Sequence, residues 1–445
     1  MRFSPWLLAA LLALPPVARA ASPQEFTLAN GLKVLVKEDH RAPVVVAQVW
    51  YRIGSGYEVP GKTGLSHALE HMMFKGTDKV PAGEFSRLVA RFGGEDNAFT
   101  TDDYTAYYQV YSSNRLPLAL ELEADRMSHL NLRAEDFTQE IRVVMEERRM
   151  RTDDNPQALA MERFQSLAML TNPERVPTIG WMSDLQAMKV EDLRAWYKQW
   201  YAPNNATLVV VGDVQPDEVR AQAESYFSGI PSQTVPMTPP PRELPEPGQR
   251  HMDLALPAKV PAMYLAWNVP GLATAATPKD AYALRMLIGV LDEGLSARLE
   301  SRLVREQRIL TAVSSSYNPF TRGDTLFTIT AIPAEGHTLE EARQAILDEV
   351  NALKTDAIQP DELKRVYAGI IAGNVFQQDS IQEQASQIGM MESLGLGWHV
   401  IDQLPENLQG ISADDIRNAA NRWLTPANQT SLFLKPAALN VGDAS

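Results

Sequence analysis

Apolar residues in this 445-residue chain recur with two distinct periods. In TGLSHALEHMMFKGT (63–77), Leu65, Ala68, Leu69, Met72 and Met73 fall at three- and four-residue steps, the stripe of an amphipathic helix. Thr63 is expected to cap its start, and Gly76 to end it in a left-handed conformation. His67, Glu70 and His71 form a second stripe, because positions i, i+3 and i+4 share a face. The β-branched runs VVVAQVWYRIGSG (44–56) and TLVVVG (207–212) read as buried strands, with helical patterns around 115–130, 134–151 and 190–200. The second half repeats this mixture: strand-like MYLAWNVP (263–270), helical patterns around 278–308 and 339–373, and a last strand near 431–435.

The stretch PSQTVPMTPPPRELPEPGQR (231–250) carries seven prolines and few residues that can pack, so it predicts a stiff, extended linker. On either side lies an internal repeat. VEDLRAWYKQWYAPNNATLVVV (190–211) aligns with ADDIRNAANRWLTPANQTSLFL (413–434) at a constant offset of 223, with Trp200/Trp423, Pro203/Pro426 and Asn205/Asn428 among the identities. Both copies read as helix, proline turn and strand, which predicts two domains of one α+β fold, 21–230 and 251–445. The second copy has no counterpart of the two-histidine stripe, so chemistry is assigned to the first.

The opening MRFSPWLLAALLALPPVARA has an arginine, a short apolar run and the small-residue site Ala18-Arg19-Ala20, which predicts a secretory signal over residues 1–20 and a periplasmic product. No later stretch approaches the roughly 18 apolar residues of a membrane helix. The absence of cysteine excludes disulfides and thiolate chemistry. The formal charge is −14, and loss of Arg2 and Arg19 with the signal makes it −16, which disfavours nucleic acid as a partner and suits basic or neutral polypeptides.

Two imidazoles one helical turn apart can both reach a zinc ion at about 2 Å and leave room for a third ligand and a water. Glu70, one residue before His71, lies beside such a metal rather than on it, placed to take a proton from water and pass it to a leaving amine. For a lone histidine, local hydrogen bonding would be the better explanation; a pair flanking a glutamate favours metal chemistry.

His67-Ala-Leu-Glu70-His71, continued by Phe74-Lys75-Gly76-Thr77, resembles the inverted zinc-peptidase signature of the pitrilysin and insulin-degrading-enzyme family, in particular its roughly 50-kDa processing-peptidase-like branch. The resemblance runs from FTLANGLKVLVKEDH (26–40) to the last strand. It implies a zinc endopeptidase with one zinc per chain and two homologous α+β domains. Each domain is a mostly antiparallel sheet packed with helices, and the pair forms half of a clamshell chamber. It also implies a glutamate ligand about 75 residues after the second histidine. QEIRVVMEERRMRTDDNP (139–156) offers Glu146 and Glu147; alignment of VVMEE favours Glu147, 76 residues beyond His71, and Glu140 shares its helix face. Glu140 resembles the family's acid that orients the site without ligating. The alternative for this run is a solvated helix with a Glu147–Arg151 pair. In RFGGEDNAFTTDDYTAYYQV (91–110), a glycine turn enters a strand that by itself reads as an ordinary edge strand; the resemblance implies that the segment Asn97-Ala98-Phe99-Thr100 borders the zinc and binds substrate as an added strand.

One departure from the family pattern matters. Self-sufficient relatives carry an arginine and, seven residues later, a tyrosine that hold substrate from across the chamber. Here Arg305 matches the arginine, but position 312 is Ala312, and Tyr317 comes five residues too late. A methyl group donates no hydrogen bond to an oxyanion, a loss commonly worth about 3 kcal/mol. The favoured reading is the catalytic subunit of a heterodimer with a paralogous chain carrying the arginine–tyrosine pair. The others are a binding or scaffold subunit without turnover, which a broken zinc motif would mark, and a homodimeric peptidase, which Ala312 opposes.

Overall fold

The β-branched runs become the centres of two sheets in a computed structural model describing residues 22–437. The predicted signal over 1–20 lies outside the described residues. The first sheet contains β1 (Gln24–Thr27), β2 (Lys33–Glu38), β3 (Val44–Tyr51), β4 (Glu95–Thr100), β5 (Thr105–Ser112) and β6 (Ala206–Gly212), in the order β1-β2-β6-β3-β5-β4. The second contains β7 (Arg250–Leu256), β8 (Ala262–Val269), β9 (Leu310–Ser316), β10 (Thr325–Pro333) and β11 (Gln429–Pro436), in the order β7-β11-β8-β10-β9. Each is antiparallel except for one parallel pair at the matching place, β2 with β6 and β7 with β11. This is a two-domain α+β fold.

The helices follow the same plan twice. In the first half α1 (Leu65–Met72) and α2 (Phe85–Arg91) precede β4. Then α3 (Leu116–His129), α4 (Ala134–Arg148), α5 (Pro156–Ala168), α6 (Met182–Ala187) and α7 (Val190–Trp200) separate β5 from β6, and α8 (Pro216–Phe227) closes the half. In the second half α9 (Pro278–Asp292) precedes β9. Then α10 (Leu339–Thr355), α11 (Pro360–Gln377), α12 (Ile381–Ser393), α13 (His399–Gln409) and α14 (Ala413–Trp423) separate β10 from β11. The repeat at offset 223 is seen directly: α7, a 3₁₀ turn at Pro203–Asn205 and β6 recur as α14, Pro426–Asn428 and β11. Two helical stretches are interrupted. The 278–308 pattern breaks after Asp292, where Gly294 takes φ +83°, and the 339–373 pattern breaks before Pro360, which starts a new helix because proline cannot continue one.

Each sheet is covered on one face by its own helices and on the other by a helix of the opposite half. The main core of the first half joins Val34, Val49 and Leu208 to Leu65, Leu69 and Leu193. On the sheet's other face, Ala385 and Ile388 of α12 pack on Leu35, Trp50 and Val209. Reciprocally, Ala160, Phe164 and Ala168 of α5 pack on Tyr264, Ala266 and Leu432 of the second sheet. The proline-rich segment is tied down as well. Asp324 donates its N–H to Pro241 O at 3.0 Å, Arg322 reaches Pro239 O at 3.2 Å, and the Glu243 carboxylate accepts the N–H of Leu170 at 2.7 Å. It is extended, but held between the halves.

The seat of α12 gives a stability prediction. A Cβ added at Gly389 would lie 2.2 Å from the Trp50 ring, whereas at Gly373 of α11 it would meet nothing within 4 Å. Gly389→Ala is expected to lower stability by about 1–3 kcal/mol through overpacking, and Gly373→Ala to raise it by about 0.5–1 kcal/mol through helix propensity; thermal and urea unfolding of the two variants would check both signs.

Candidate metal centre

The two-histidine helix is fixed at its start by a carboxylate. Oε2 and Oε1 of Glu58 accept the N–H groups of Gly64 at 2.6 Å and Ser66 at 2.7 Å, filling the donors that a helix N-terminus leaves free. Thr63 does not cap α1: its hydroxyl donates to Asp184 at 2.7 Å and accepts the N–H of Trp181 at 2.9 Å, anchoring the loop instead. Gly64 takes φ +86°, and a side chain there would strike Ile179 O at 2.5 Å. Gly76 is left-handed at φ +94°, but α1 ends earlier, at Met72. Leu65, Ala68, Leu69 and Met72 enter the core, which turns His67, Glu70 and His71 toward α4.

On α4 the two adjacent glutamates separate. Glu146 is exposed and pairs with Arg149. Oε2 of Glu147 lies 3.3 Å from Nε2 of His71 and 3.8 Å from Nε2 of His67. One donor atom from each of the three side chains lies within 4.8 Å of the others. A tetrahedral zinc site with bonds of about 2.0–2.1 Å has ligand separations of about 3.4 Å, so this two-imidazole, one-carboxylate set fits zinc. The other oxygen of Glu147 takes Arg151 at 2.6 Å; the solvated ion pair and the metal-facing carboxylate use different atoms of one side chain.

Around these donors the charges are arranged in a second layer. Oε1 of Glu140 lies 3.0 Å from Nδ1 of His71, selecting the tautomer whose Nε2 lone pair faces Glu147. Lys75 pairs with the other oxygen of Glu140. Burial would raise the Glu140 pKa, yet the bonds from His71 and Lys75 hold it below the ordinary value. Burial pushes the His67 imidazole down to about 3, keeping it neutral. For His71 burial also acts to lower the pKa, but the bond to Glu140 and the charges of Glu147, Glu140 and Glu70 outweigh it and raise it. Nδ1 of His67 has no hydrogen-bond partner among the described residues. Glu70 is raised by burial, and its Oε2 accepts a short hydrogen bond from the Thr100 hydroxyl.

Thr100 ends β4, the strand carrying Asn97, Ala98 and Phe99. Among the described residues β4 pairs with β5 alone, so its outer main-chain edge has no strand partner there. The side chains of that strand divide: Ala98 packs toward the main core, while Phe99 turns to the opposite face against Trp50, with ring centroids 5.4 Å apart. Asn97 bonds its neighbour's N–H, Ala98, at 2.8 Å. Of the NAFT stretch, only Thr100 has a side chain bonded to the site. A cavity of about 940 Å³ lies away from the histidines, between Phe99, Trp50 and helices α9, α11 and α12 on that opposite face. Arg305 and Ala312 stand exposed in the second half, and neither bonds to the histidine cluster. Tyr317 is buried, its hydroxyl donating to Pro270 O at 2.8 Å, so it cannot replace a tyrosine at 312. Sequence reasoning passed over Glu58, and it named Lys75 and Thr100 only as members of matching stretches, without giving either a role in the site.

The chain is similar to known proteins along most of its length. Residues 33–180 match the sequence profile described as Insulinase (Peptidase family M16), and residues 187–369 the one described as Peptidase M16 inactive domain. Zinc protease PqqE of Helicobacter pylori is 32% identical over 427 residues, 93% of each chain. An uncharacterized zinc protease, YmxG, of Bacillus subtilis is 25% identical, over 90% of this chain and 96% of that one. Among solved structures, a protease from Helicobacter pylori superimposes with a TM-score of 0.86 at 29% identity, covering 93% of this chain and all of that one. The periplasmic protease PqqL of Escherichia coli, at 17% identity, shares the fold over 94% of this chain and 48% of its own, with a TM-score of 0.78.

The arrangement on α1 and α4 makes metal content a direct test. Glu147→Gln is expected to hold zinc at least about tenfold more weakly, and Glu140→Gln about 10–100-fold more weakly through loss of the His71 orientation, while Glu146→Gln retains it fully. Zinc measured by atomic absorption after dialysis decides; equal retention in the Glu146 and Glu147 variants would remove Glu147 from the ligand set.

Proposed function

This chain belongs to the insulinase family of zinc peptidases, peptidase family M16, and from that premise we propose that it is an exported zinc metalloendopeptidase that hydrolyses peptides or unfolded polypeptides. The observation that carries the reading is the convergence of His67, His71 and Glu147 with Glu70 beside them. Those three side chains would hold one zinc ion, which when bound would polarise the scissile carbonyl and lower the pKa of water.

The remaining steps are carried by side chains and main chain. With Oε2 of Glu70 engaged by Thr100, Oε1 is free to take a proton from the attacking water and later deliver it to the leaving amine. Neutral His67, and His71 aligned by Glu140, present ring nitrogens to the ion. The free edge of β4 would bind an extended substrate through main-chain hydrogen bonds, which tolerates many side-chain sequences. Such a strand enters only when locally unfolded, which restricts substrates to peptides and unstructured segments.

Two halves of a chamber are needed to close over the site. We assign this chain the catalytic half, residues 21–230 carrying the zinc and 251–445 forming non-catalytic wall; the inactive-domain match covers 251–369 of the latter but also the end of the former, from residue 187. Arg305 is available at the surface, but exposed Ala312 offers no donor for an oxyanion. A paralogous exported chain would supply the arginine–tyrosine pair. Export rests on the signal pattern of residues 1–20; among the described residues no helix is long and apolar enough to cross a membrane, and one structural neighbour is a periplasmic protease. The alternative of a scaffold subunit without turnover draws on the inactive-domain match, but the intact donor set argues against it.

Glu70→Gln is expected to keep its zinc and lose at least about a hundredfold in hydrolysis of a quenched fluorescent peptide; near-normal turnover in the metal-replete variant would rule out the base. The chain alone is expected to be weak on an unstructured peptide and to gain activity with the paralogous partner or with Ala312→Tyr. Full activity alone, with no gain from either addition, would refute the heterodimer.

A further inference from the structure

The base of this site has one side-chain partner, and that partner belongs to the strand proposed to hold the substrate. Among the described residues, the only side-chain hydrogen bond to the Glu70 carboxylate comes from the hydroxyl of Thr100. We infer that Thr100 is a positioning residue, which holds the Glu70 carboxylate in register with β4 so that the base and the docked substrate backbone share one rigid reference. The inference rests on Glu70 being the base and assigns the residue that aims it.

The rigidity of Thr100 can be traced bond by bond. Threonine is stiff at χ1 because it is β-branched. Thr100 pairs in register with Thr105 across the β4–β5 turn, whose hydroxyl lies 3.5 Å from that of Thr100 and donates to Ile53 O at 2.9 Å. The turn is closed by Thr101 N–H to Tyr104 O at 2.9 Å. Asp103 within it is tied to Arg322 of the second half, Nε to Oδ1 at 3.1 Å and backbone N–H to Oδ2 at 3.1 Å. Glu70, by contrast, has three rotatable side-chain bonds and only this hydrogen bond to select among their rotamers. A substrate strand added to β4 takes its position from the same backbone that carries Thr100. Fixing donor and acceptor to one frame is what orientation requires, since misplacement by about 1 Å can cost about a hundredfold in rate.

The second half, which lacks the two-histidine motif, contains a helix-to-strand carboxylate tie of another form. On α9, which follows β8 as α1 follows β3, Asp292 accepts both the N–H of Ser315 and its hydroxyl, the latter at 3.0 Å, from the edge strand β9. There Oδ2 takes two donors, one of them main chain, which locks helix to strand. In the first half the carboxylate is one methylene longer and takes a single hydroxyl, so one oxygen remains free for proton transfer.

The test compares Thr100→Val, which keeps shape but removes the hydroxyl, with Thr100→Ser, which keeps the hydroxyl, using Thr100→Ala should the valine variant misfold. Zinc content, Tm, kcat and KM on an unstructured peptide are measured for each, alone and combined with Glu70→Gln. Expected are wild-type zinc and KM, a kcat lower by about 10–100-fold for valine or alanine, recovery to within about threefold for serine, and no further loss when valine is added to Glu70→Gln. A kcat within twofold of wild type for the valine variant, failure of serine to rescue, or a full additional loss on top of Glu70→Gln overturns the inference. If Glu70→Gln itself turns over normally, the base assignment falls and this inference falls with it; an inactive Glu70→Gln beside a fully active Thr100→Val leaves the base standing and removes only Thr100.

Discussion

The fold depends on a reciprocal exchange of helices. A sheet with two apolar faces needs cover on both, and each half brings enough helix to pack its own core but leaves the second face open. Phe164 on α5 and Ile388 on α12 fill those faces across the chain, each fully buried apolar side chain contributing about 1.5–3 kcal/mol. The consequence is mechanical. Neither half can turn relative to the other without exposing a sheet face, so the two edge strands, β4 and β9, are held in fixed relation. Gly389, which lies against the Trp50 ring, and Arg322, which bonds Asp103 and lies 4.0 Å over the Tyr57 ring, are local expressions of the same constraint.

The metal centre sits on this frame rather than beside it. Its proposed ligands come from two helices, α1 and α4, separated in sequence by α2, the β4–β5 hairpin and α3, and they meet because α4 packs against α1. The positive end of α1 is neutralised by Glu58 from the loop before it, which fixes the helix along its axis. The negative charge of Glu140 and Glu147 is balanced by Lys75 and Arg151. The proposed ligands, ring-orienting acid, base and base-holding hydroxyl thus lie on three separate segments, α1, α4 and β4, each anchored by the core or by the other half.

Duplication explains why so much of the second half mirrors the first while its chemistry does not. The helix after β8 carries a carboxylate tied to the edge strand, Asp292 to Ser315, but the second half has no counterpart of the two-histidine motif.

How much of this could be read from the chain differs from element to element. The α1 stripes, the repeat at offset 223 and the buried strands were legible because periodicity and identity are local properties, set by 3.6- and 2-residue geometry. Breaks at Gly294 and Pro360 were missed as boundaries since apolar periodicity runs through them, although both residues carry the signal. The expected Thr63 cap failed because a longer side chain, Glu58, reached the same N–H groups, an outcome decided by loop geometry. The choice of Glu147 over Glu146 came from alignment in the sequence and from distance in the structure. What the sequence determined by itself was the helix bearing two imidazoles and a carboxylate on one face, and hence the class of chemistry, because i, i+3 and i+4 must be neighbours in any helix. Only the tertiary structure decided which residues hold that helix, which face Phe99 takes and which hydroxyl meets Glu70, because Glu58 is aimed by the path of its loop and the other partners, among them Asp184, Trp50 and Thr100, lie tens of residues or more away and are brought together by packing, not by any local rule.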